Sequence, residues 1–259
     1  MAVYSNTYYD YDLTDKQSKA AFLSKVFGMM FLCLLITTAV AAGFGYGLQA
    51  WLVNTAVYEE GVLVSYNQNI VNVLLGTTVV SAIALLIMSF VLPITFIRGR
   101  HNILVPLMIY VTIMGLLLST FTWLFEPIIL VESFGITALV FGLMALIGFL
   151  AKGRLSGLWT VMIGLIVGAG ILSLVNWIMI AFGRISGANV TISWVVSLAV
   201  FAFLMLMTMW DVARINRIAN QASNSGNNLI YYCAYVLYSD FIAILVRVIY
   251  YMAIFTRRR

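Results

Sequence analysis

Asp211 and Asp240 are two of only nine acidic residues in the chain, and they lie inside or at the edge of long apolar stretches near its C-terminus. Most of the other seven stand in a polar N-terminal arm or in short connections. An ionised carboxylate at the centre of a bilayer costs at least ~2.5–3.5 kcal/mol, so it needs a partner or a function. Two buried carboxylates with arginine nearby make a proton-sensitive device. At a separation of about 3 Å they cannot both ionise cheaply, and they titrate as one unit. Sharing one proton would tie their two helices together. Losing it would set two like charges against each other. Asp211 and Asp240 are therefore the candidate pH-sensing and gating residues.

Their spacing permits contact. Asp211 precedes Val212-Ala213-Arg214 at the end of one apolar segment, and Asp240 falls eleven residues beyond Leu229 in the next. At a rise of ~1.5 Å per residue, Asp240 lies about 16 Å along its helix, and Asp211 about 10 Å deep if its own helix runs on to Ile218. Arg247, seven residues after Asp240, projects from nearly the same helical face two turns on. The plainer alternative makes each aspartate a lone anchor, paired locally with Arg214 or Arg247.

The elements that must position these groups follow from composition. Hydrophobic residues make up 63% of the 259 positions and charged residues 9%, against roughly 25% charged in a soluble domain. One core could not hide so much apolar surface. The chain reads as an all-α polytopic membrane protein. Apolar runs of the roughly 20 residues that a spanning helix needs occur seven times, over Phe22–Val53, Ile70–Ile97, Ile103–Phe125, Ile128–Ala151, Leu155–Phe182, Ile192–Val212 and Leu229–Phe255. This gives a polar arm over residues 1–21, a seven-helix membrane domain over 22–256 and a basic tail over 257–259. Gly43, Gly45 and Gly47 suggest that the first helix loosens or ends before Trp51. The connection Val53–Gln68 is the longest polar one and is expected to form a small cap. Pro93 and Pro106 flank the second connection, and Pro127 breaks the chain between the third and fourth helices.

Basic residues set the expected orientation. Arg98, Arg100 and His101, then Lys152 and Arg154, then Arg214 and Arg217 fall in the even-numbered connections, while the odd ones carry Glu59 and Glu60, Glu126 and Glu132, and a single Arg184. The positive-inside rule then puts the even connections and the N-terminus in the cytoplasm. Arg257–Arg259 conflict with this if the last segment spans fully, which leaves a re-entrant last segment open as an alternative. The net charge of +5 comes from basic residues scattered singly at segment ends, which argues for topology and snorkelling rather than nucleic-acid binding. Cys33 and Cys233 lie far apart in apolar stretches, so neither a disulfide framework nor a metal site is expected. No cofactor is expected either. With His101 the only histidine, a Ser–His or zinc-based intramembrane enzyme is disfavoured. Asn176 either lines a pore or bonds a neighbouring helix, the second being favoured. Gly164 and Gly168 form a GxxxG pattern read as close packing within a monomer.

Several strings carry a family resemblance: Phe141-Gly142, then Leu150-Ala151-Lys152-Gly153-Arg154-Leu155-Ser156-Gly157, then Ser173-Leu174-Val175-Asn176, Met209-Trp210-Asp211 with Ile215, and Tyr238-Ser239-Asp240-Phe241-Ile242. In this order and spacing the chain resembles the transmembrane Bax inhibitor motif family from Phe22 to Ile254. The resemblance implies six helices around a central, C-terminal seventh. It also implies a hydrogen-bonded pair of Asp211 and Asp240, and an arginine latch on Asp211 from the cytoplasmic end of the second helix. Arg98 fits that latch, with Arg100 two residues away as the secondary candidate beside Arg247 and Asn176. The second segment has no acidic residue in its body, which some relatives have, and this puts any further carboxylate cation site there in doubt.

Two functions are implied. The first is a pH-sensitive, calcium-permeable leak channel in a bacterial plasma membrane, with protons and calcium as its ligands, the lipid bilayer as its medium, and Asp211 and Asp240 as its metal-contacting residues, since an ionised pair suits a hard cation that prefers carboxylate oxygen. The second is a membrane-embedded regulator that binds other membrane proteins, such as proteases or cell-death and stress factors, without conducting ions. A pure binding module has no need of two buried acids, so the aspartates favour the first.

Overall fold

The computed structural model describes residues 16–59, 62–65, 67–98, 102–150, 156–181, 187–221 and 227–256. The described chain is helical apart from one antiparallel hairpin. Its elements are α1 (Lys16–Thr55), β1 (Val57–Glu59), β2 (Val62–Ser65), α2 (Gln68–Arg98), α3 (Leu104–Leu118), α4 (Phe121–Leu124), α5 (Pro127–Leu150), α6 (Ser156–Ala181), α7 (Gly187–Gln221) and α8 (Asn227–Thr256). Seven stretches are long and apolar enough to cross a membrane, with α3 and α4 together forming the third. Outward-facing residues such as Leu86, Leu139 and Ile97 are largely exposed. Surfaces of this kind call for lipid as their solvent.

The helices fall into two compact units. One comprises Met1–Glu132 with Ala222–Tyr238, the other Ser133–Gln221 with Ser239–Arg259, so α8 contributes to both. In the first unit α3 packs on α1 and α2. Gly115 permits the α1 approach, because a Cβ there would lie 2.7 Å from Val40 Cβ and 2.9 Å from the Thr37 carbonyl oxygen. The buried Thr37 hydroxyl lies 2.6 Å from the Tyr238 hydroxyl and donates to the Cys33 carbonyl at 2.9 Å. Tyr110 meets the rings of Tyr235 and Tyr238 edge-on.

Two expectations about the first unit need correction. The first helix does not end at its glycines. It runs unbroken to Thr55, because Gly45 serves packing: a Cβ there would collide with Thr122 Oγ1, and the Trp123 indole donates to the Gly45 carbonyl at 3.1 Å. Gln49 Nε2 adds a bond to the Thr122 carbonyl at 2.7 Å. The third segment is not one helix. Ser119 donates to the Leu116 carbonyl and Thr122 to that of Ser119, and these local bonds compete with the helical ladder at the break. Pro93 lies inside α2, as it does in the expected run Ile70–Ile97. Pro127, by contrast, opens α5, where its missing N–H costs nothing. The expected cap contains the β1–β2 hairpin, with Tyr58 opposite Leu63 and Glu59 opposite Val62.

In the second unit α6 packs on α7. Tyr251 of α8 lies 3.0 Å from the Ser197 hydroxyl and stacks on Trp194. The GxxxG pattern plays no packing part here, since a Cβ at Gly164 or Gly168 would meet nothing within 4 Å. The tight approach is instead at Gly148 of α5, whose added Cβ would lie 2.6 Å from the Met209 carbonyl oxygen of α7. The last segment is one continuous helix of 30 residues, or about 45 Å, long enough to cross a bilayer and without the bend that a re-entrant hairpin needs. It is also the most enclosed of the seven, with 56% of its apolar window buried against 33% or less elsewhere.

Candidate functional site

α7 continues nine residues past the expected end at Val212, to Gln221. Arg214 and Arg217, expected in a connection, are therefore helical. Helix-compatible polar residues let the chain run on where the apolar signal stops. Asp211 thus sits ten residues from the end of α7, about 15 Å, and Asp240 thirteen residues into α8, about 20 Å. These depths match. Both residues are buried, Asp211 with 4% and Asp240 with 9% of its surface exposed. The two carboxyl groups lie close enough to act on one another. Asp240 Oδ2 has no partner among the described residues.

The ring of Phe241 lies 5.3 Å from that of Phe134 and 5.5 Å from that of Phe141, which fixes this part of α8 against α5. Met209 and Ala213 are buried on either side of Asp211, with Leu206 and Trp210 packed on them. Gly148 brings the α5 backbone against Met209 and Val212 at the same level. Sequence alone did not point to Gly148, since nothing distinguishes it from the chain's other glycines.

Arg214, one turn beyond Asp211, acts on it electrostatically, as i, i+3 neighbours do. Arg214 is solvent-facing and Arg247 half-buried. Asn176 donates to Ser193 Oγ at 3.0 Å, the expected bond between helices, here α6 and α7. Arg98 is the last residue of α2. Its side chain, together with Gly99, Arg100, His101 and the turn Lys152–Arg154, lies outside the described residues, as does the tail Arg257–Arg259. Cys33 and Cys233 are buried free thiols. No group of three or more His, Cys, Asp or Glu residues forms among the described residues.

No curated protein matches the chain. A sequence model of the family described as "inhibitor of apoptosis-promoting Bax1" matches residues 19–257. That match takes in all seven apolar spans and both buried aspartates, and the chain belongs to this Bax inhibitor-1-like family of membrane proteins.

Proposed function

We propose that this protein is a pH-sensitive, calcium-permeable leak channel gated by Asp211 and Asp240. The observation that carries this reading is the burial of Asp211 and Asp240, two carboxyl groups that act on one another, on two helices long and apolar enough to cross a membrane. A hydrogen bond between two carboxyl groups needs one proton, which joins α7 to α8. When that proton leaves, two like charges face each other at a site that cannot hold both cheaply, and the helices are pushed apart. Leak therefore rises as pH rises. The opened pair offers up to four carboxylate oxygens, fewer than the six to eight ligands of a storage site for calcium. A permeant ion needs only such a partial, quickly released shell.

Arg98 acts as the latch that holds the closed state by pairing with Asp211. This role follows from family resemblance and from its place at the end of α2. The N-terminus faces the cytoplasm, on the strength of the basic connections.

Purified protein in liposomes loaded with a calcium dye tests the reading. Wild type should admit calcium with a rate that climbs with pH, and Asp211→Asn and Asp240→Asn should each flatten that profile. An amide cannot enter the shared-proton equilibrium. The double variant should add little, because the two residues act as one unit. If both single variants keep the wild-type profile, the aspartates are structural anchors and the membrane-regulator reading takes over.

A further inference from the structure

Helical Ser and Thr hydroxyls in this protein satisfy themselves locally. Thr37, Thr78, Ser89, Thr112 and Thr208 each donate to the carbonyl four residues back, at 2.8–3.0 Å. Ser133 and Thr137 of α5 do not. Both are fully buried, yet Ser133 Oγ and Thr137 Oγ1 have no hydrogen-bond partner among the described residues. Asp240 Oδ2 shares that condition. Buried polar atoms without partners are rare and call for a specific explanation.

Helical geometry assigns the three atoms to one strip. Phe241 sits almost equally far from Phe134 and Phe141, which levels it with residues 137–138 of α5. In an up-and-down succession of the seven spans, the fourth and seventh run in opposite directions. At about 100° per residue, Thr137 and Ser133 lie about 50° and 90° to one side of the line on which Phe134 and Phe141 point. Asp240 lies about 100° from Phe241 in the same rotational sense. For antiparallel helices, equal sense means the same flank. Along the axis, Thr137 is about 2 Å and Ser133 about 8 Å from the level of Asp240, toward the N-terminal end of α5. Half-buried Arg247, two turns beyond Asp240 on the same face, falls at about 10 Å.

We propose that Ser133, Thr137 and Asp240 bind a file of water that runs from the carboxyl pair toward the N-terminal end of α5. About three molecules at hydrogen-bond spacing span the 8 Å, and each finds the polar partners that a buried water requires. The charged groups around the file are Asp211 beside Asp240 and Arg247 at its far end, with Arg214 acting on Asp211. The file wets the pair and gives it a route for proton exchange. As a path for calcium it rests on the leak reading; as a hydrated file it does not.

Single cysteines at Ser133, Thr137 and Leu139 in a Cys33→Ala, Cys233→Ala background separate the two. Silver ions reach thiols only through water. Leu139, on the same helix, is 71% exposed on the apolar surface and serves as the dry control. Proteoliposomes are treated with silver nitrate in chloride-free buffer, then denatured, and free thiols are counted with a maleimide dye. Ser133→Cys and Thr137→Cys should lose at least tenfold of their dye labelling, while Leu139→Cys keeps it. If either file position labels like Leu139→Cys, there is no continuous file. A hydroxyl-radical pulse on the unsubstituted protein gives a second reading: Phe134 or Phe241 should be oxidised, and protection of both overturns the proposal. Thr137→Val, which keeps the shape but not the hydroxyl, should lower calcium flux several-fold. Silver protection without any wild-type flux would retain the file and remove the leak.

Discussion

Replacing Gly148 by alanine tests whether the close α5–α7 approach beside Asp211 is real and matters. The added Cβ would stand 2.6 Å from the Met209 carbonyl oxygen and 3.1 Å from Val212 Cβ. Both obstacles are held by α7 itself, one being backbone and the other a branched carbon next to it, so no flexible side-chain end can swing away. Relief requires the helices to part by roughly 0.6 Å or more, and overpacking of this kind costs about 1–3 kcal/mol. Alanine also gains up to ~1 kcal/mol over glycine in a helix interior. Gly164→Ala isolates that gain, because its Cβ meets nothing within 4 Å. The Gly148 variant should therefore be less stable than the Gly164 variant by about 1–3 kcal/mol, or roughly 5- to 150-fold in the unfolding equilibrium.

Unfolding in mixed micelles, followed by far-ultraviolet dichroism across a denaturing-detergent titration, reads this difference directly. Trp159 and Trp210, whose rings lie 5.9 Å apart, give a fluorescence signal from the same unit. Equal midpoints for the two variants, or a more stable Gly148→Ala, would refute the packing argument. Met209 lies two residues before Asp211, so any surviving displacement should also shift the pH profile of flux while Gly164→Ala leaves it in place.

Other expectations follow from the same contacts. Thr37→Val strands the buried Tyr238 hydroxyl and should cost about 1–3 kcal/mol, whereas Tyr238→Phe leaves Thr37 its bond to Cys33 and should cost less; the reverse order in a denaturation series would show the donor assignment to be wrong. Arg98→Ala should raise leak at acidic pH, where the closed state dominates, and Arg100→Ala should matter less; if only the Arg100 variant leaks, the latch is on the other arginine. If all seven apolar helices cross the bilayer, the two ends of the chain face opposite sides, so cysteines placed before Lys16 and after Thr256 should label from opposite sides of a sealed vesicle. Labelling of both from one side would return the last segment to a hairpin.

The sequence disclosed what depends on long-range averages of composition and hid what depends on a single contact. Seven apolar runs were legible because a bilayer demands length, and length survives any detail of packing. Segment ends were less legible. α1 begins at Lys16, inside the polar arm, and α7 runs past Arg214 and Arg217, since polar residues that favour a helix do not end one. Asp211 and Asp240 stood out because a carboxylate in an apolar run is costly wherever it points. Glycines carried the opposite ambiguity. The same residue type ends a helix, marks a dimer seam or admits a neighbour, and only the position of another helix decides that Gly45 and Gly148 admit one while Gly164 and Gly168 face open space.

Ser133 and Thr137 show where the boundary falls. A hydroxyl in an apolar segment ordinarily turns back to the carbonyl four residues earlier and disappears from the polar account, as those of Thr37 and Thr208 do. One side-chain rotation separates that silent state from an exposed acceptor, and the identities of neighbouring residues in sequence do not choose between them. The choice is made by what lies across the helix. Here it is the flank of α8 that carries Asp240, so the hydroxyls and the carboxyl oxygen acquire meaning only together. A charge is visible in sequence because its cost is intrinsic. The surroundings that make the charge useful are built from residues whose cost is conditional, and those become visible only when the helices are in place.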